Sequence, residues 1–364
     1  MNKIKAFLAR KGVVCSFRQY GVDALGAMAQ GLFCTLLVGT ILNTLGQQLH
    51  IGFLTAPVVS VGTVSYTVGG LASAMVGPGI AVAIGTALHC PPLVLFSLIP
   101  VGFAANAMGG AGGPLAVYAV TIIAAELGKL VSKETRIDIL VTPCVTVIAG
   151  IAVAQLIAAP IGTAARAVGL AIMWATELQP FFMGVLVSAL IGIALTLPIS
   201  SAAICAAFGL TGLAGGAAVA GCCAQMVGFA VMSFKENRWG GLVAQGVGTS
   251  MLQMPNILKN PRIWIPPTLA SMITGPLATC VFKLQMTGSP VSSGMGTCGF
   301  VGQIGVYTGW VSDIAAGTKA AITPMDWIGL VLICFILPAV LSTLFCRVLE
   351  KRGWIREGDM KLDL

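Results

Sequence analysis

The chain has 364 residues and a formal net charge of +8, with 57% hydrophobic residues, only 9% charged residues and a mean hydropathy of +0.96. Ordinary soluble domains carry about 25% charged residues, so this composition excludes a soluble globular protein and predicts an integral membrane protein. Apolar runs far longer than a barrel strand, without period-2 alternation, argue against strands as the spanning elements.

Basic residues lie at the two ends of the chain rather than in one patch. Five precede the first apolar run and five follow the last: Lys3, Lys5, Arg10, Lys11, Arg18, Arg347, Lys351, Arg352, Arg356 and Lys361. Basic residues beside membrane spans mark the cytoplasmic side. We therefore expect a multi-pass protein of the plasma membrane with both termini cytoplasmic. We expect no nucleic-acid binding, because basic patches without a recognition fold are weak evidence for it.

Residues 1–20 are basic and partly amphipathic, with Ile4, Phe7, Leu8 and Val14 on roughly one helical face. This pattern resembles a short interfacial helix more than a cleavable leader. The sequence therefore predicts three parts: a cytoplasmic N-terminal segment (1–20), a single transmembrane transporter domain (21–346) and a cytoplasmic tail (347–364).

The first part of the transmembrane domain contains no Asp, Glu, Lys or Arg between residues 24 and 125. With about 20 apolar residues needed for each helical crossing, this block could hold four or five passes. The predicted elements, in order, are spans at 22–45, 51–70 and 71–88, a short re-entrant or tilted element at 93–105, a glycine-rich break at 106–114, and a short apolar segment at 115–127.

The second part gives a span at 139–159, an amphipathic interfacial helix at 161–177, spans at 181–197 and 199–234, and a last span at 327–345. The fold class that these elements predict is an all-α polytopic integral membrane protein. It would have about ten membrane-embedded segments, including re-entrant or broken helices.

Residues 253–309 are the least regular apolar stretch. Four prolines open it, an apolar helical pattern follows as far as Lys283, and a run of Gly, Ser and Thr then extends over 287–305. Non-helical backbone survives in a bilayer only where protein covers it or where it lines a watery cavity. The run therefore predicts a broken or re-entrant segment at a solute site. Close packing of small residues between helices is the alternative for each glycine.

Residues 71–78 and 269–276 share a similar pattern, and each is followed by a glycine-rich break. Transporters often carry internal repeats with broken helices at corresponding positions, so this similarity suggests that the domain consists of two repeats. Chance similarity in a chain with 46 glycines is the alternative.

A set of motifs in the second half resembles the membrane-embedded IIC component of the sugar phosphotransferase system. The residues that carry the resemblance are Asn260-Pro261, Trp264, Pro266-Pro267, Gly275-Pro276, Gly294-Met295-Gly296-Thr297 and Gly302. The resemblance is strongest to the stand-alone branch of that family, which includes regulators of toxin production of the perfringolysin-regulator type. It implies a dimeric solute permease with a IIC-like transporter fold, and it does not fix the substrate.

Two functions of different class follow from this resemblance. The first is a permease that moves a small polar solute, expected to be a sugar, by alternating access. Its own chain shows no catalytic residue and no hydrophilic segment of the roughly 50 residues that a fused phosphocarrier domain needs, so separate cytoplasmic phosphocarriers would supply any phosphorylation. The alternative is a membrane sensor or regulator that keeps the permease fold and pocket. A channel is weaker, since no continuous polar helix face is visible.

Neutral polar side chains at or beside the glycine-rich breaks are the expected solute ligands, because hydroxyl groups need several donors and acceptors fixed in an apolar pocket. These are Asn106, Gln225, Ser292, Ser293, Thr297 and Gln303. Glu177 and His89 join them because ionisable residues inside a membrane are usually functional. Glu126 and Asp313 lie close to predicted loops, so we expect them to be solvated helix ends. Glu177 has an alternative role as a helix cap.

Cysteine and histidine give no sign of a metal or a cofactor. Many of the eleven cysteines lie within apolar runs, where cysteine behaves as a small hydrophobic residue. His50 and His89 are the only histidines, and the usual ligand clusters are missing. We therefore expect no metal and no cofactor.

Overall fold

The computed structural model describes residues 7–8, 10–13 and 16–362. The chain divides into two compact units, Met1–Ala164 and Ala165–Leu364. Helices form most of both units, which agrees with the all-α prediction. Of the predicted N-terminal amphipathic face, Ile4 and Val14 lie outside the described residues.

The first unit begins with a long helix and contains one small hairpin. Its elements are α1 (Arg18–Gln48), α2 (Gly52–Thr55), β1 (Val59–Val61), β2 (Val64–Tyr66), α3 (Val68–Ala74), α4 (Val76–Ala87), α5 (Pro92–Gly109) and α6 (Gly113–Val131). The next helix, α7 (Asp138–Thr176), begins in this unit and ends in the second.

The second unit contains long helices separated by short helical turns. Its elements are α8 (Pro180–Thr196), α9 (Ser201–Ala207), α10 (Gly212–Met232), α11 (Phe234–Val243), α12 (Met254–Lys259), α13 (Ile265–Pro276), α14 (Pro290–Ser293), α15 (Val301–Ala315) and α16 (Pro324–Lys351). Three-residue to five-residue turns of 3₁₀ or π type join several of them.

Small residues set the helix packing in the first unit. A Cβ atom added at Gly31 of α1 would lie 2.6 Å from the carbonyl oxygen of Gly79 on α4. Gly77 of α4 and Gly102 of α5 approach each other in the same way, so a side chain at either position would overlap the other's backbone. Such close backbone contact is typical of membrane helices, which gain little from hydrophobic burial against lipid.

Helix α10 forms the centre of the second unit. It packs against α8, α13 and α16, and almost all of its side chains are buried. Its core partners include Met286, Val306 and Trp310 from the chain beyond α13, together with Ile333 of α16. A helix that is apolar on every face is expected to be enclosed by others, and this enclosure brings the segments on both sides of α14 against α10.

Five helices in the described part of the chain are long and apolar enough to cross a membrane, or six if the bent pair α3 and α4 is one span. The five are α1, the α5 to α6 run, α7, α10 and α16, while α8 is a shorter apolar helix. The axis bends by 54° between α3 and α4, as in a broken span. The count of about ten embedded segments and the single domain over 21–346 stay predictions.

The span predicted at 51–70 is wrong. This stretch holds α2 and the antiparallel pair β1 and β2, whose residues are mostly exposed, with Val59 opposite Tyr66 and Val61 opposite Val64. Valine and tyrosine, which form most of the two strands, fit a pleated strand better than a helix. Gly62, with a φ of +61°, makes the turn, which hydropathy alone does not reveal.

The element predicted at 93–105 is the separate helix α5, and the glycine-rich break predicted at 106–114 is confirmed. The chain turns at Gly110, with a φ of +51°, and α6 packs back against α5, so that a Cβ atom at Gly128 would lie 2.8 Å from Cγ1 of Val94.

Another predicted boundary does not exist. The interfacial helix predicted at 161–177 is the second half of α7, which continues through Pro160. Proline is tolerated in membrane helices because neighbouring groups compensate for its missing N–H donor.

The span predicted at 199–234 is two helices. α9 and α10 are separated where Gly209 and Gly212 adopt φ values of +62° and +63°, which a continuing right-handed helix cannot contain. The spans predicted at 22–45, 181–197 and 327–345 correspond to α1, α8 and α16.

Candidate functional site

The broken segment (residues 287–305) starts beside the first residue of α10. Met286 and Gly212 exchange two backbone hydrogen bonds there, of 3.0 Å and 2.8 Å. The segment then forms the single turn α14 and passes through three left-handed residues, Gly296, Gly299 and Phe300. The backbone is therefore irregular until α15 begins at Val301, as the glycine and proline content predicts.

The left-handed positions restrict which residue types can occupy them. Gly296 has a φ of +54°, and a Cβ atom there would also lie 2.6 Å from Cβ of Cys222 on α10. Only glycine satisfies both conditions. Phe300, with a φ of +58°, is a bulky residue in a conformation that such residues rarely adopt, and it marks the start of α15.

Two hydroxyl groups of the broken segment are fully buried in its contact with α10 and the loop before it. Ser293 Oγ donates a hydrogen bond of 2.6 Å to the carbonyl oxygen of Leu210. Thr297 Oγ1 lies 3.6 Å from the sulfur of Met226, a weak acceptor. Ser292 lies against Gly305 of α15 and is also buried. The segment thus turns its polar side chains toward the protein interior.

Gln303, on the first turns of α15, has an incomplete set of hydrogen bonds. Its side chain is 7% exposed, and its Nε2 donates to Sγ of Cys223 at 3.2 Å. Its Oε1 is buried and has no hydrogen-bond partner within the described residues. If the amide were flipped, Oε1 would face Cys223 and Nε2 would be the atom without a partner. Native proteins rarely bury such a group, since leaving it unpaired costs about 1–3 kcal/mol.

Gln225, two residues beyond Cys223 on α10, has the opposite environment. It is fully buried, and its Oε1 accepts hydrogen bonds from Trp264 Nε1 at 3.0 Å and from Thr196 Oγ1 at 3.3 Å. Its Nε2 donates to Thr268 Oγ1 at 3.1 Å. Gln225 therefore joins α8, α10 and the helical run from Trp264 to Thr268 in one satisfied network.

The remaining predicted residues lie elsewhere. Asn106 is half-buried on α5 beside Gly113, and His89 is exposed after the end of α4 with a φ of +53°; both belong to the first unit. Glu177 is exposed directly after α7. The structure thus places Gln225 on α10 and Ser293, Thr297 and Gln303 against it, with Ser292 next to Ser293 on the broken segment, and it places the other three residues outside that group.

A further set of buried amides, which the sequence did not point to, lies between α11 and the C-terminal tail. Gln253 Nε2 donates to Gln245 Oε1 at 2.8 Å, and Asn256 Nδ2 donates to Gln253 Oε1 at 2.9 Å. All three side chains are buried and lie in a charge-free run, which is the signal that could have revealed them. Gln253 and Asn256 also donate to the carbonyl oxygens of Met360 and Lys361 in the C-terminal tail.

The chemistry of the group on α10 is that of neutral polar recognition. Its members are uncharged amides and hydroxyls in apolar surroundings, so the group can hold hydroxyl groups in place and offers no general acid or base. No set of three or more His, Cys, Asp or Glu side chains in the described ranges could hold a metal ion.

Comparison with known proteins shows a match to a protein-family model. The family model described as "Phosphotransferase system, EIIC" matches residues 22–362, which is nearly the whole chain. No curated protein and no solved structure matches.

Proposed function

The chain belongs to the EIIC family of the phosphotransferase system, and from this premise we propose that it is a membrane permease for a small neutral polar solute, a sugar. The family match over residues 22–362 and the apolar helices support a membrane component with a permease-type role. The nature of the solute, its site and the transport mechanism are the parts that we propose.

The observation that carries the site is the Gln303 side chain. One end of its buried amide has no partner within the described residues, at the junction between the broken segment and α15. A solute hydroxyl at this position would supply the missing hydrogen bond. The buried hydroxyls of Ser292, Ser293 and Thr297 lie on the same segment, and we propose that they shape the same site.

The uncharged character of this group supports a neutral solute. An ion in a low-dielectric interior needs an opposite charge nearby, and a sugar needs several donors and acceptors at fixed positions. Gln225 holds the helices that surround the site and contributes through its network. Asn106, His89 and Glu177 lie outside the group on α10, and we propose that they contact the solute as it enters or leaves the protein.

We propose that transport follows alternating access, with the broken segment as a moving part. Irregular backbone with left-handed glycines at 296 and 299 can change conformation without breaking a regular helix. The protein would act as a homodimer in the plasma membrane with both termini cytoplasmic, where separate phosphocarrier proteins would phosphorylate the solute. The sensor or regulator alternative has no observation of its own in its favour.

The experiment is solute uptake by membrane vesicles that contain the protein. Labelled sugars are offered with and without phosphoenolpyruvate and the cytoplasmic phosphocarrier proteins, and vesicles without the protein are the control. We expect uptake of at least one sugar that depends on the protein and rises when the phosphocarriers are supplied. A protein that binds a sugar but never moves it would favour the sensor alternative instead.

A further inference from the structure

A polar cleft of about 470 Å³ lies in the second unit, and none of its lining residues belongs to the group on α10. Its walls come from the chain after α13, the end of α15 and the start of α16. The residues that carry the argument are Lys283, Gln285, Trp310, Asp313, Lys319 and Asp326. The volume is in the range of small-molecule sites, about 300–1,000 Å³.

One wall of the cleft is held rigid by hydrogen bonds. Lys319 Nζ lies 2.9 Å from Asp326 Oδ1 and 5.8 Å from the centre of the Trp310 ring. Asp326 also accepts from the backbone and hydroxyl of Thr323 at 2.7 Å and 2.8 Å, which closes a capping box at the start of α16. These groups therefore keep fixed positions without any ligand.

The chain after α13 contributes side chains to the cleft that are free to bind. Lys283 and Gln285 are exposed, and neither side chain has a hydrogen-bond partner in the described part of the chain. Lys283 also has a φ of +45°, a left-handed conformation that costs energy in a residue other than glycine. Such strained residues concentrate at functional sites. The buried Leu284 between them places both polar side chains on the cleft side.

The charges that line the cleft cancel. Lys283 and Lys319 carry two positive charges, and Asp313 and Asp326 carry two negative ones. Because the charges of the lining residues sum to zero, the cleft has no net attraction for an ion. It still offers many hydrogen-bond donors and acceptors in a small volume. This combination suits a neutral molecule with several hydroxyl groups.

The cleft is linked to the broken segment through one hydrogen bond. Thr287, the first residue of that segment, donates from Oγ1 to Asp313 Oδ2 at 2.8 Å. The Asp313 main-chain oxygen in turn accepts from Thr318 at 2.9 Å, which fixes the following turn. A ligand that engages the Asp313 carboxylate would therefore act directly on the start of the broken segment.

We propose that this cleft is a second solute site, which binds a neutral sugar of monosaccharide to disaccharide size before it reaches Gln303. Only the later transfer of the sugar to Gln303 rests on the proposed function. The binding of a neutral sugar follows from the residues that line the cleft. Asp326 lies in the first turn of α16, and the C-terminal tail follows its other end, about 42 Å away for 28 residues. With the tail cytoplasmic, as we propose, the cleft faces the outside.

The test is equilibrium dialysis of the full-length protein in detergent with labelled glucose, glucitol and lactose. The double variant Lys283→Ala, Gln285→Ala removes only exposed side chains, so folding should be unaffected. Lys259→Ala, an exposed lysine on α12, is the matched control. We expect the double variant to weaken binding of the preferred sugar by at least about fivefold, as expected for two lost hydrogen bonds, and the control to bind like the wild type.

Three results would overturn the cleft as a site. They are unchanged binding by the double variant, tighter binding of glucose 6-phosphate than of glucose, and no binding of any of the three sugars by the wild-type protein. The proposed function fails separately, when vesicles that contain wild-type protein take up no sugar. If the double variant lost sugar binding while wild-type vesicles took up no sugar, the cleft would stand as a binding site and the proposed transport function would be rejected.

Discussion

Gln303 and Cys223 meet through one end of the glutamine amide, with Nε2 at 3.2 Å from the cysteine sulfur, while Oε1 stays buried without a partner among the described residues. A second buried glutamine, Gln225, lies two residues beyond Cys223 and has partners at both ends of its amide. The two glutamines therefore allow the same substitution to be compared in a satisfied and an unsatisfied environment.

Gln303→Met should raise the stability of the protein without solute. Methionine keeps the length of the side chain and removes the unpaired oxygen, whose burial costs about 1–3 kcal/mol. The measurement is thermal unfolding in detergent, and Ser342→Ala, which removes another buried oxygen without a partner in the described residues, should raise the melting temperature for the same reason. A fall in the melting temperature of Gln303→Met would contradict the prediction, because it would mean that the hydrogen bond to Cys223 stabilises the fold by more than the unpaired oxygen costs.

Gln225→Met should have the opposite effect. It leaves Trp264 Nε1 without its acceptor, whereas Thr196 keeps a hydrogen bond of 2.8 Å to Ser250. We expect a loss of about 1–3 kcal/mol from the unpaired indole donor. The same unfolding assay measures it. Equal melting temperatures for Gln225→Met and Gln303→Met would mean that the hydrogen-bond pattern does not distinguish the two sites.

The C-terminal tail should depend on Asn237. The Asn237 side chain donates to the carbonyl oxygen of Met360 and accepts from the backbone N–H of Leu362, both at 2.8 Å. Asn237→Ala removes both bonds, so the tail should detach more often. Limited trypsin digestion followed by mass spectrometry should show faster cleavage after Arg356 and Lys361. Lys235→Gln, an exposed neighbour, is the control, and equal cleavage rates in the two variants would contradict the prediction.

Acid should release the start of the chain from the loop after α6. Glu134 receives ion pairs from Arg10 and Lys11. The hydrogen bond from Lys11, together with both positive charges, lowers the pKa of Glu134 below its ordinary value. A lowered pKa in the folded state means that the contact is complete above the ordinary glutamate pKa of about 4.3 and is lost as the pH falls through the lowered value.

Hydrogen exchange at residues 10–13 measures that release. Exchange should accelerate below about pH 4, after correction for the intrinsic pH dependence of exchange, and Glu134→Gln should reproduce the faster exchange at pH 7. Glu357→Gln, an exposed acid in the other unit, should leave it unchanged. Protection at residues 10–13 that survives in Glu134→Gln would show that other contacts hold this segment.

Part of the fold could be predicted from hydropathy and part could not. α8 and α16 were visible because each is a single apolar run bounded by proline, at Pro180 and Pro324. The hairpin at Val59–Tyr66 was missed because apolar β-branched residues raise the hydropathy of a strand as much as that of a helix. The continuity of α7 through Pro160 depends on contacts that a single sequence does not show.

The irregular backbone of the broken segment was predictable, but the hydrogen-bond partners of the candidate site residues were not. The glycines at 294, 296 and 299 marked the irregular backbone, and the polar residues beside them were the natural candidates. Which of these amides is satisfied depends on partners far away in sequence, such as Trp264 for Gln225 and Cys223 for Gln303. The lining of the polar cleft joins residues from three chain segments, so no local pattern could reveal it.

The most direct measurement of the central claim is solute affinity at Gln303. A sugar that wild-type vesicles take up is labelled and titrated by equilibrium dialysis against the wild type, Gln303→Met and Ser342→Ala. The account predicts that Gln303→Met binds the sugar up to about tenfold more weakly, because one hydrogen bond to a neutral ligand contributes about 0.5–1.5 kcal/mol, while Ser342→Ala binds like the wild type. Equal affinity in all three proteins would contradict a solute site at the broken segment.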